Sequence, residues 1–311
     1  QRLPVWGSER VVFSAAQWFA ELLAGINCAT HTVYLQTYIF ALDTVGEPLL
    51  QALCAAAARG VRVCVIVDGV GSASAVTTLQ AKLTHSGAQL HIYLPLPWAW
   101  VSSQLERNEN FWQFFKRLLR VNNRQHSKLC LIDNRCAWIG SFNITDDHME
   151  NNGRGMDWKD CGVRVTGERS ELLREFFEAV WFDDEKKLSP LFLFHSVTNF
   201  SRLLRRRRLR VMLQSLYTAK KRVWIVSAYF SPVPSLVRAL KKVSRRGVDV
   251  RVLVPAYSDV KFFPALSSTY YADLLRAGIK IYEYEAGILH TKLMVVDDDV
   301  LIGSSNMNHR S

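Results

Sequence analysis

The sequence predicts an α/β protein of two tandem, pseudo-symmetric lobes, each a mostly parallel mixed sheet flanked by helices, with the active site at the lobe interface. Three observations lead there. Continuous β-branched runs alternate with helix-like stretches, the pattern of parallel strands covered on both faces. The strand–helix–strand order of the first half recurs in the second. Each copy then ends in the same cluster of histidine, lysine, aspartate, glycine, serine and asparagine.

The first repeat opens on Val33-Tyr-Leu-Gln-Thr-Tyr-Ile-Phe40, an apolar strand-like run, and continues through a helical pattern at Leu49, Leu50 and Leu53. Arg59-Gly60-Val61 turns the chain into a second strand ending at Val67. The second repeat matches it with Val223-Trp-Ile-Val-Ser-Ala-Tyr-Phe230, a helix through Leu236, Leu240 and Val243, and Arg246-Gly247-Val248 leading to Val254. A third pair of strands is Gly87 to Tyr93 and Gly278 to Tyr284. These matches divide the chain into lobes 1–190 and 191–311, with a boundary after Asp183-Asp-Glu-Lys-Lys187. An aromatic and basic segment, about 95–123, is inserted in the first lobe only. Its amphipathic part, Phe111 to Arg120, suits a helix packed on the core or an element lying on a lipid surface. The run Arg202 to Arg210 reads as a solvated helix face or a phosphate-binding one.

The 311 residues are 49% hydrophobic, enough for a sizeable core, and carry a formal net charge of +11. That charge suits an anionic partner, a nucleic acid or an acidic membrane face. Six cysteines form no CxxC pair and no zinc spacing, so they read as reduced and structural, in keeping with a cytosolic-facing compartment. No run of about 18 apolar residues marks a membrane span. The chain starts at Gln1 and stops at Ser311 directly after a core-like run, so an anchor is expected to lie outside it, if there is one.

The chemistry sits in the doubled cluster. His126-Ser-Lys128 is followed by Asp133 and then Gly140-Ser141-Phe142-Asn143; His290-Thr-Lys292 is followed by Asp297 and then Gly303-Ser304-Ser305-Asn306. In a strand, positions i and i+2 share a face, so each His and Lys point toward one ligand. Each residue type fills about 5% of positions, so two such clusters at equivalent places in a repeat are not coincidence.

This doubled pattern resembles the phospholipase D superfamily, over essentially the whole chain. Asp43 with Gly46, Asp68-Gly-Val-Gly-Ser72, His148-Met149, Tyr229-Phe-Ser-Pro232 and Arg246-Gly-Val248 are similar to its bacterial cardiolipin synthase branch. That resemblance implies a phosphodiester chemistry without cofactor or metal. His126 attacks phosphorus to give a phosphohistidine, and His290 protonates the leaving alcohol. Lys128 and Lys292 neutralise the phosphate oxygens, and Asn143 and Asn306 donate to them, supported by Ser141 and Ser304. Asp133 and Asp297 are candidates to orient the histidines, although their odd offset puts them on the opposite strand face. The family's own orienting acid matches Asp160, which is expected to pair with His126, while the acid for His290 is expected beyond Ser311. Gln36 stands where an acid is frequent in this branch.

The expected activity is phosphatidyl transfer, joining two phosphatidylglycerol molecules into cardiolipin, or hydrolysis if water is the acceptor. Its partners are then an anionic phospholipid and a membrane surface, at the cytoplasmic side of a bacterial-type inner membrane, with the site complete in one chain. The alternatives are a nuclease of the same superfamily and a catalytically dead membrane-binding scaffold.

Overall fold

The computed structural model describes residues 5–94, 126–150, 157–190, 192 and 202–304. The inserted segment 95–123 and Asn306 lie outside them. The first half supplies β1 (Ser8–Val12), α1 (Ala15–Cys28), β2 (Thr32–Thr37), α2 (Gly46–Ala58), β3 (Arg62–Asp68), α3 (Val76–His85) and β4 (Gln89–Tyr93). It continues with β5 (Leu129–Ile132), β6 (Cys136–Gly140), β7 (Trp158–Lys159), β8 (Gly162–Thr166) and α4 (Glu171–Trp181). The second half supplies α5 (Arg202–Thr218), β9 (Arg222–Ser227), α6 (Pro234–Ser244), β10 (Asp249–Tyr257), α7 (Phe263–Ser268), α8 (Tyr271–Leu275), β11 (Lys280–Leu289), β12 (Lys292–Val296) and β13 (Asp299–Ile302).

Two mixed sheets result, ordered β1-β8-β6-β5-β2-β3-β4 and β13-β12-β9-β10-β11-β7. The repeat is plain in them. Strands β2, β3 and β4 run parallel, as do β9, β10 and β11. The strand after each His-x-Lys, β5 or β12, pairs antiparallel with the first strand of its repeat, β2 or β9. Both faces of the first sheet are covered. Val33, Leu35, Val63 and Val65 pack against α1 and α2, while Tyr34, Cys64 and Ile66 pack against Phe176 and Phe177 of α4. The core of the second lobe joins Val223 and Ile225 to Leu236, Leu240 and Val243 of α6. The basic run forms the first part of α5, where burial, reinforced by Arg205, pushes the Arg208 pKa down to about 10. All six cysteines are free thiols, and Cys64, Cys130 and Cys161 are buried.

The antiparallel pairing decides what the motif aspartates do. It carries the end of β5 to the start of β2, where Asp133 adopts a left-handed turn at φ 50°. Its carboxylate accepts hydrogen bonds from the backbone N–H groups of Thr30, His31 and Thr32 at 3.0, 2.7 and 2.8 Å, and from the Thr30 hydroxyl. Asp297 does the same at φ 53°, accepting from the N–H groups of Lys220, Lys221 and Arg222. Burial alone would raise the Asp133 pKa; the three backbone N–H groups outweigh it and hold the carboxyl below its ordinary value. The expectation that Asp133 and Asp297 orient the histidines is therefore corrected. Each lies at the far end of its strand from the His-x-Lys and clamps the turn that enters β2 or β9.

Charge-assisted hydrogen bonds to backbone N–H contribute more than neutral ones, so Asp133→Ala should destabilise the fold by about 2–4 kcal/mol. Urea unfolding of the purified variant measures this. Since the carboxyl is held below its ordinary pKa, its contribution is present above the unfolded pKa and is lost as pH falls through the folded one.

Candidate active site

The histidine–lysine pairs lie where β5 and β12 begin, beside the ends of β2 and β9. Here parallel strands end and their loops gather, the usual location of a site in an α/β sheet. Lys128 and Lys292 are buried, and each ammonium donates to the main-chain oxygen of its own motif histidine, His126 at 2.7 Å and His290 respectively. Burial, followed by the charge of Lys292, pushes the Lys128 pKa down to about 7. Burial likewise pushes Lys292 down to about 8, against the pull of Asp160 and Asp259. The charge of one motif lysine is therefore felt by the other, across the two lobes.

Asp160 connects the lobes more directly. Strand β7, just before it, leaves the first sheet and pairs parallel with β11 of the second. Gly287 permits that approach, because a Cβ there would lie 2.5 Å from the Asp157 oxygen. The His290 N–H then donates to the Lys159 oxygen at 2.8 Å. The Asp160 carboxylate meets Nδ1 of His290 at 2.6 Å. The expected pairing of Asp160 with His126 is thus corrected: the acid that follows the first motif serves the histidine of the second. The reason is the two-residue strand that changes sheet. His290 thus has its orienting carboxylate among the described residues.

Ser141 also departs from its expected role. Its hydroxyl contacts Asp160 Oδ1 and the Cys161 main-chain oxygen, at 3.0 Å for the latter, so it holds the carboxylate. The Cys161 N–H adds a 3.0 Å bond to the same oxygen. The glycine of the Gly-Ser-x-Asn motif makes this possible, since a Cβ at Gly140 would lie 2.5 Å from the Gly162 Cα. Burial alone would raise the Asp160 pKa; the charge and hydrogen bond of His290 and the charge of Lys292 override it and hold the carboxyl well below the ordinary range. His290 is pushed below the ordinary histidine value by burial and then by Lys292, against the pull of Asp160. With Nδ1 engaged by a carboxylate, the tautomer that donates to Asp160 leaves Nε2 as the basic nitrogen.

Asn143 is buried, and its side-chain oxygen accepts from the Ile39 N–H at 3.2 Å. Its amide NH2 is the remaining donor. Ser304 is half-buried at the start of the loop after β13. Gln36 is buried, and among the described residues neither of its side-chain amide atoms has a hydrogen-bond partner.

Three residues join the site that the motif did not single out. The Tyr38 ring stacks on His126 with centroids 4.2 Å apart, and Tyr229 meets His290 edge-on at 6.4 Å. His148 is buried, and its Nε2 accepts from the Asn143 N–H at 3.0 Å, so the proton resides on Nδ1. That nitrogen faces Asp160 at 3.5 Å. Burial pushes the His148 pKa down to about 3, so the ring is neutral near pH 7. His148 therefore links the asparagine loop to the His290–Asp160 pair. The repeat could not point to it, because the second copy was matched only as far as Asn306. Among the described residues, no group of three or more His, Cys, Asp or Glu could hold a metal ion.

The family model described as "Cardiolipin synthase, PLD-like domain" matches residues 22–181 and 212–311. Cardiolipin synthase A of Pseudomonas putida strain GB-1 is 31% identical over 323 residues, covering 100% of this chain and 64% of the relative. Cardiolipin synthase of Halalkalibacterium halodurans is 29% identical, covering 97% and 60%. The chain thus spans under two thirds of the length of these relatives. Among solved structures, phosphatidylserine synthase of Haemophilus influenzae Rd KW20 superposes with a TM-score of 0.66 at 14% identity, covering 99% of this chain and 81% of that one. Polyphosphate kinase of Porphyromonas gingivalis gives 0.60, also at 14% identity, and covers 97% of this chain and 46% of that one. These two share the fold.

Two outcomes follow. An anion held by the lysines should return their pKa values toward the ordinary range. Sulfate binding at pH 8 should then take up protons, read by calorimetry in buffers of different ionisation enthalpy; zero uptake or release would contradict the arrangement. His148→Phe should lower kcat/KM by about tenfold or more, by freeing the asparagine loop. His148→Gln, which keeps an acceptor for Asn143, should recover part of the loss, and a plain loss of folding would show in both variants.

Proposed function

The chain belongs to the cardiolipin synthase family of phospholipase D-like domains, and from that premise we propose that it transfers a phosphatidyl group between alcohols at an anionic membrane surface. The substrate is phosphatidylglycerol and the main product cardiolipin. The observation that carries this reading is the convergence of both motif lysines on a buried centre in which Asp160 of the first half holds His290 of the second.

His126 attacks phosphorus, the bond to the glycerol oxygen breaks, and His290, entering the step as the imidazolium, gives its Nε2 proton to the leaving glycerol and is left neutral. A phosphatidyl-histidine on His126 remains. His290 then removes a proton from the hydroxyl of a second phosphatidylglycerol, whose oxygen displaces His126 to form cardiolipin. Asp160 stabilises the imidazolium form of His290 during both transfers. Lys128, Lys292 and the Asn143 amide hold the charged phosphate oxygens, with Asn306 and Ser304 in the matching places of the second motif. The fold is shared with a polyphosphate kinase, so it does not select the lipid; the family match supports that choice.

Purified protein given phosphatidylglycerol vesicles should release glycerol and form cardiolipin, whereas single-stranded DNA should stay intact. DNA cleavage without lipid turnover would favour the nuclease, and vesicle binding without turnover of either would favour an inactive scaffold. His126→Ala should lower lipid turnover by about a thousandfold or more. Acid-free peptide mapping of quenched enzyme should find the phosphatidyl adduct at His126; an adduct at His290 would exchange the two roles.

A further inference from the structure

Beyond the catalytic groups, an unbroken series of aromatic rings runs from solvent to His290. Phe262 is 62% exposed just ahead of α7, and its ring stacks on Phe263 with centroids 4.8 Å apart. Phe263 meets Tyr229 at 4.7 Å, and Tyr229 meets His290 at 6.4 Å. The polar end of Tyr229 is fixed, since its hydroxyl donates to the Asp259 carboxylate at 2.6–2.7 Å. Tyr257, before the same loop, is 50% exposed. Lys261 is exposed beside Phe262, with no hydrogen-bond or ion-pair partner among the described residues.

Scattered exposed apolar side chains are ordinary on a protein surface. This group differs in two respects. Two consecutive phenylalanines stack on one another at the surface, and the stack continues to a catalytic histidine. Paired aromatics beside a free cation are also the composition of an element that sits at the boundary of headgroups and acyl chains.

We propose that Lys261, Phe262 and Phe263, with Tyr257 beside them, form the membrane-seating lip of the protein, which enters an anionic bilayer and delivers the lipid phosphodiester along Tyr229 to His290. This rests on the phosphatidyl-transfer reading and adds the surface that meets the bilayer. The phenylalanines occupy the acyl boundary and Lys261 meets the lipid phosphates. The lipid is drawn from its leaflet past Phe263 and Tyr229, inside the seated Phe262, while its diester advances to the lysines. Asp259, the acidic group of this loop, accepts from Tyr229 and forms no ion pair with Lys261 among the described residues.

The test uses the full 311-residue chain and the exposed-site variants Phe262→Ser and Lys261→Glu. Binding is read by co-sedimentation with vesicles of phosphatidylglycerol and phosphatidylcholine. Turnover is read on such vesicles and on dihexanoyl-phosphatidylglycerol below its micelle concentration. Phe262→Ser should weaken vesicle binding and vesicle turnover about fivefold or more, as removal of one inserted aromatic implies, and leave turnover of the monomeric lipid within about twofold. Lys261→Glu should weaken binding to phosphatidylglycerol vesicles and leave binding to pure phosphatidylcholine vesicles nearly unchanged. Wild-type vesicle affinity in both variants would overturn the lip, as would loss of self-association in Phe262→Ser with vesicle binding intact. If the wild-type protein turns over neither lipid form but Phe262→Ser still loses vesicle binding, the lip stands and the transfer reading falls.

Discussion

The hydrogen bond between Asp160 and His290 is the constraint on which the site depends. It needs an acid from one half of the chain and a base from the other at 2.6 Å, so neither lobe can supply it alone. The backbone makes it by letting β7 pair with the second sheet and β8 return to the first, with Asp160 at the crossing. Ser141 and the Cys161 N–H fix one carboxylate oxygen from the first lobe, while the other is left for His290. A buried carboxylate is costly unless its oxygens are satisfied, and here they are satisfied from both sides. The same bonds that make the burial tolerable thus orient the His290 ring and join the lobes.

The antiparallel motif strand performs the complementary task. A seven-residue step from histidine to aspartate is one short strand with a turn at its end. Because β5 runs against β2, and β12 against β9, one end of the motif lies where the paired strand finishes and the other where it starts. Histidine and lysine therefore occupy the catalytic end. The aspartate closes the opposite end on three backbone N–H groups. The motif is a unit because one strand spans the lobe, although only half of it belongs to the chemistry.

This explains what could be read from the sequence. The repeat and the strand order within it are local properties of spacing, and the structure carries them. The odd offset already set Asp133 and Asp297 on the other face, but only the antiparallel register reveals the turns they clamp. The partner of Asp160 was not legible, because it depends on which sheet accepts the two residues Trp158 and Lys159. Their sequence looks the same in either sheet, and the choice is made by the distant Gly287 and β11. Tyr38 and Tyr229 close the matched runs of the repeat and His148 belongs to the branch features, but all three reach the site from loops, where periodicity does not fix where a side chain points.

The lysines show why such a centre suits an anionic substrate. Burial costs an ammonium its hydration, and the surrounding carboxylates only partly offset that cost, which is why both pKa values lie below the ordinary lysine value. Below its folded pKa each lysine is charged and opposes folding; as pH rises through that value toward the unfolded one, stability increases. Deprotonation, however, would remove the charge that a phosphodiester needs. A diester entering between the lysines supplies negative charge at the place where it is short, and so restores their protons while gaining their grip. Fold stability and substrate binding are thereby linked through the same two groups, and they favour opposite ends of the pH range around 7 to 8. A water-filled surface site would not show this opposition, since exposed lysines keep their charge throughout that range.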